Sequence, residues 1–142
     1  ILILDSSSGQ LDLQVADAAA AAVSETNSSL AVFVPSEVDT SWTSSLLRGD
    51  LSSLKAAGSG RSPWGARWIL VGSAARQPAG RPHPTLRSLL LSMDAKLIDA
   101  RTSTISSRQS ESNTGRGATE LTAVRQATER CLSEITYFLE RG

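Results

Sequence analysis

The segment from Leu89 to Arg108 limits the folds open to this chain more than any other stretch. Leu89, Leu91, Met93, Ala95 and Leu97 fall on one parity, while Ser88, Ser92, Asp94 and Lys96 fall on the other, with Leu90 and Ile98 as exceptions. Side chains on a strand alternate between its two faces, so this spacing predicts a strand with one side in a core and one side wet. The polar run Asp99-Ala100-Arg101-Thr102-Ser103 follows, and the chain resumes as Thr104-Ile105-Ser106-Ser107-Arg108. Asp and Ser side chains bond to nearby backbone and favour turns, so the whole segment reads as an antiparallel hairpin.

The remainder supplies what such a hairpin packs against. Ile1 to Leu4 is a short apolar run closed by Asp5-Ser6-Ser7-Ser8-Gly9, which predicts a buried strand leading into a loop. Leu11 to Glu25 has Leu11, Val15, Ala18, Ala19, Ala22 and Val23 at helical spacing. Leu30 to Val34 reads as a second short strand stopped by Pro35. Between Ser36 and Gly65, Trp42, Leu46, Leu47, Leu51 and Leu54 predict one or two short helices, with Asp39 or Thr40 as a cap. Gly58 to Pro63 is a connection, Trp68 to Ala74 a central apolar strand, and Gln77 to Thr85, with three prolines, an exposed loop. Ser110 to Gly117 is polar and turn-rich. The last helix is expected from about Ala118 to Glu140, with Leu121, Val124, Ala127 or Thr128, Cys131, Ile135, Phe138 and Leu139 as its apolar stripe. Strands that alternate with helices and end in a hairpin and a helix predict an α/β (α+β) fold. It is a single mixed sheet of about five strands with helices packed on it, in the order β-α-β-(α)-β-β-β-α.

At 142 residues the chain is expected to form one α/β domain over 1–142, long enough to bury roughly two thirds of its unfolded surface. It opens inside an apolar run without Met, and we take it as a domain of a longer protein. Fourteen basic residues balance fourteen acidic ones, so no global field draws in nucleic acid or an anionic membrane. No run approaches the roughly 18 apolar residues of a membrane span. The lone Cys131 forms neither an internal disulfide nor a structural zinc site, and on the apolar stripe it acts as a small hydrophobe.

No catalytic constellation emerges, and no cofactor or metal is expected. Asp5-Ser6-Ser7 resembles the start of the metal-binding loop of von Willebrand A domains, but Gly9 stands where the next hydroxyl is required, so a solvated strand-end loop is the better reading. His83 sits between two prolines with no nucleophile signature nearby. Gly58, Gly60 and Gly65 lack the Lys-Ser or Lys-Thr of a phosphate loop. Arg61, Arg67, Arg76, Arg81 and Arg87 with Trp64 and Trp68 form a basic stretch, read as loop solubility rather than as a nucleic-acid surface. Trp42 and Trp64, with Arg61 and Arg67, lie in the least periodic segments and are the candidate partner-binding residues, since Trp and Arg supply most interface anchors.

Trp64-Gly65-Ala66-Arg67-Trp68-Ile69-Leu70-Val71-Gly72-Ser73-Ala74 resembles the "G-A-aromatic strand, then V-G-S" element of a group of bacterial envelope domains. Met93 to Ile105 resembles their "A-R-L-V-D-x-x-T-G-x-V" hairpin. The group includes the TolB amino-terminal domain, the curli-secretion lipoprotein, the flagellar assembly protein T middle domain and the lipoprotein activators of penicillin-binding proteins. Ser103 stands where the group usually has Gly, and the first strand lacks the usual "P-F" ending. The resemblance implies a non-catalytic interaction or assembly domain, not an enzyme, of the periplasm or cell envelope. Its partners would be other envelope proteins or further copies of itself. The alternative is a small nucleotide- or metal-binding enzyme domain using the strand ends near Asp5 and Gly72.

Overall fold

The computed structural model describes residues 1–57, 65–80 and 84–141. Their elements are β1 (Leu2–Asp5), α1 (Leu13–Thr26), α2 (Thr40–Leu47), α3 (Ser52–Ala57), β2 (Trp68–Pro78), β3 (Arg87–Asp99), β4 (Thr104–Gly117), α4 (Glu120–Cys131) and α5 (Ser133–Arg141). The strands form one mixed sheet in the order β1-β2-β3-β4, with β1 parallel to β2 and the other neighbours antiparallel. The expected mixed α/β class is what the chain adopts.

The alternation along β3 explains the layering. Leu89, Leu91, Met93, Ala95 and Leu97 are all buried beneath α1, α4 and α5, in a core shared with Val15, Ala19, Val124 and Ile135. The two exceptions to the alternation point the other way. Ile98 is fully buried with Leu2, Ile69 and Val71 under Leu46, Leu51 and Leu54 of the α2–α3 region. Helices therefore cover one face of the sheet fully and the other at one end only. Side-chain caps start the helices: Asp39, an expected cap, accepts from the N–H groups of Ser41 and Trp42, while Asp12 accepts from Val15 N–H for α1 and Thr119 from Thr122 N–H for α4.

Four expectations need correction. Leu30–Val34 is not a strand of the sheet. Its alternating burial comes from Leu30, Val32 and Val34 leaning on the main core. The outer edge of β1 is already occupied: Asp5 N–H donates to Gln10 O at 2.8 Å and Asp12 N–H to Ile3 O at 2.7 Å. That leaves four strands rather than about five.

The β2 strand runs on to Pro78, which pairs with Leu89, so Gln77 and Pro78 belong to the sheet rather than to the expected loop, of which residues 81–83 lie outside the described residues. The polar 110–117 segment is not a turn but the far half of β4, paired through Gly117 with Arg87. The last helix breaks at Leu132. There Gln109, buried on β4, accepts through its side-chain oxygen from the N–H of Glu134 at 2.8 Å and of Ile135 at 3.4 Å, starting α5 afresh. The break and the helix's true phase leave Leu121 47% and Phe138 36% exposed, while Ala123 and Leu132 are fully buried.

Candidate functional site

Each end of the sheet presents a different surface. At the end where β1 stops, Asp5 accepts from Ser7 N–H at 2.8 Å and from the Ser7 hydroxyl at 2.6 Å. These bonds, the hydroxyl's foremost, hold the Asp5 carboxyl below its ordinary range. The carboxylate is spent on its own loop. Gly72 is no strand end: it lies inside β2, opposite Ile3 and Ala95. Nearby, Arg76 joins three elements. Its guanidinium donates to both Asp12 carboxylate oxygens at 2.6 and 2.7 Å and to the Gln14 side chain, and lies 3.5 Å from Glu120. That is a strut between the starts of α1 and α4, set on β2. Among the described residues no three His, Cys, Asp or Glu side chains gather as metal ligands.

The opposite end carries a cleft of about 410 Å³, lined by Leu30, Val32, Phe33, Trp68, Leu97 and Leu139 among others. Trp68 meets Phe138 edge to face, with ring centroids 5.8 Å apart, and Arg67 stacks over Trp68 at 4.9 Å. Phe33 stands 55% exposed at the rim. Arg67 is the one charged side chain among the described lining residues, so the cleft offers shape and apolar contact.

The candidate partner-binding residues do not all fall on described structure. Arg61 and Trp64 lie outside the described residues, as do Gly58, Gly60, Arg81 and His83. Arg67 is exposed beside the cleft. Trp42 is half-buried on α2, packs against the second core and donates its indole N–H to the Ser53 hydroxyl at 2.8 Å. Cys131 is sealed under α4, its thiol directed at Leu91 O, and burial pushes that thiol up from its usual range. Among the described residues no helix is long and apolar enough to cross a membrane.

The feature that sequence reasoning missed is the outer edge of β4. Arg116 N–H donates to the Gln126 side chain at 2.9 Å and Thr114 O accepts from Arg130 at 2.8 Å, so even-numbered residues of β4 aim their backbone away from β3. Arg108, Ser110 and Ser112 share that parity, and their outward N–H and C=O groups have no partner among the described residues. The even-numbered side chains join Ser73, Ala75, Ser92 and Asp94 on the uncovered part of the sheet, a shallow face of small polar groups.

No family model matches the sequence, and no curated protein matches it. The fold, however, has a solved counterpart. This chain resembles PelC. A structure described as a PelC dodecamer from Paraburkholderia phytofirmans superposes with a TM-score of 0.54 over 96% of this chain and 82% of that one, at 14% identity. A "putative lipoprotein" from Caulobacter crescentus matches at a TM-score of 0.31 and 15% identity, over 70% of this chain and 81% of its own. At such identities the likeness to PelC is one of fold.

Proposed function

We propose that this chain is a non-catalytic assembly domain of a bacterial cell-envelope protein and that it works by associating with further copies of itself. The observation that carries the reading is the fold it shares, across nearly its whole length, with PelC, a protein solved as a dodecamer. The sequence resemblance of Trp64–Ala74 and Met93–Ile105 to envelope domains supports the compartment. Equal numbers of acidic and basic residues keep mutual repulsion between copies small. Arg67, with Trp42, Arg61 and Trp64, remains the proposed partner-contact set.

Sedimentation velocity over a hundredfold range of protein concentration tests the reading. The expected result is a shift from the 15.0 kDa monomer to a larger species of defined size. A chain that stays monomeric up to roughly 1 mM, where even a weak association of about 4 kcal/mol would show, contradicts self-association.

A further inference from the structure

The two edges of the sheet are treated differently. The β1 edge is closed by the backbone of Gln10–Asp12 and by Phe33 O, which accepts from the Ile1 nitrogen at 2.9 Å. The β4 edge is closed only at its far part, where Arg130 and Gln126 of α4 take the outward groups of Thr114 and Arg116. At its near end the β3–β4 register shifts between Leu97 and Ile98, so Ser106 is the bulged residue. Between bulge and cap lies an open window, Arg108 to Ser112, whose outward donors and acceptors have no partner among the described residues. Unpaired edges of this kind are templates for another strand, and proteins that do not use them usually block them.

We infer that this window receives the same window of a second copy, β4 against β4, antiparallel about a two-fold axis at Ser110. The inference rests on the self-association reading and names its surface. Three observations select a second copy as the occupant. The window is centred on Ser110, so two copies related by that axis match open residue to open residue: Ser110 to Ser110, and Arg108 to Ser112 each way. The register also avoids like charges, since Arg108 faces Ser112 and Glu111 faces Gln109, whereas an axis at Ser112 sets Arg108 against Arg116, and one at Glu111 sets that carboxylate against itself. The side chains at the centre, Ser110 and Ser112, are small and exposed. The outcome is one continuous sheet through both copies. A two-fold contact closes on a pair, and any larger even-numbered assembly adds a second surface to it.

Cysteine pairing in the full chain tests this directly. In a hydrogen-bonded antiparallel pair facing Cα atoms lie about 5.5 Å apart, within disulfide reach, so Ser110→Cys is expected to give a covalent dimer on mild oxidation. Thr104→Cys, which the same register separates from its own copy by roughly 40 Å, is expected to stay uncrosslinked; Cys131 is buried and does not interfere. Ser110→Lys, which sets two ammonium groups against each other on an exposed position, is expected to weaken association roughly tenfold without moving the melting temperature. If the wild type associates but Ser110→Cys does not crosslink and Ser110→Lys associates as the wild type does, the edge inference falls while self-association stands. A wild type that remains monomeric overturns both.

Discussion

Ser103 is the one non-glycine residue with a left-handed backbone among those described, at φ 53°. It closes the turn between β3 and β4, where Asp99 also accepts from the N–H of Arg101 at 3.0 Å. The envelope domains that the hairpin resembles usually carry Gly there. A side chain in this region crowds its own carbonyl and costs about 1–2 kcal/mol, partly offset by the greater freedom glycine has when unfolded. Ser103→Gly is therefore expected to raise stability by about 0.5–1 kcal/mol, read as a shift of the urea midpoint with an unchanged slope. The turn was legible because Asp and Ser announce it. Gln109 was not: a glutamine amid Arg108, Ser110 and Glu111 gives no sign of being 5% exposed and holding the start of α5. Its role depends on a helix that approaches from 25 residues further along the chain.

At the scale of elements, periodicity located α1, the α2–α3 region, the heart of β2 and β3 from Leu89 to Ile98, since each buries a regular face. The hairpin reading found β4 over Thr104–Arg108 but missed its far half, where Ser, Asn and Gly offer no apolar alternation and the pairing with β3 overrides their local preference. One signal was available. An isolated glycine inside a strand marks a close approach, and a Cβ on Gly115 would stand 1.9 Å from the Ala123 carbonyl oxygen and 2.9 Å from the Ala127 methyl. Helix α4 rests directly on that backbone. Gly115→Ala is accordingly expected to lift α4 from the sheet and cost about 3 kcal/mol or more, measured by chemical denaturation. A cost below about 1 kcal/mol would mean that α4 sits further from β4. The break at Leu132 was equally hidden, since the apolar spacing of 118–140 continues through it and only the Gln109 contact reveals the restart.

For the molecule as a whole, the sheet is sandwiched at the end where α2 and α3 lie and bare on one face at the other, with Arg76 bracing α1 and α4 across β2. Among the described residues the outward backbone groups of Arg108, Ser110 and Ser112 on β4 have no partner, and in the proposed assembly a second copy satisfies them. Amide hydrogen exchange resolved by NMR, at concentrations below and above assembly, puts this most directly. In the monomer the amides of Gln109, Glu111 and Asn113, which face β3, are expected to be protected, while those of Arg108, Ser110 and Ser112 exchange nearly freely. On assembly the latter three are expected to slow by at least about tenfold, with the odd-numbered amides unchanged. Fast exchange at Arg108, Ser110 and Ser112 in the assembled protein would contradict the account.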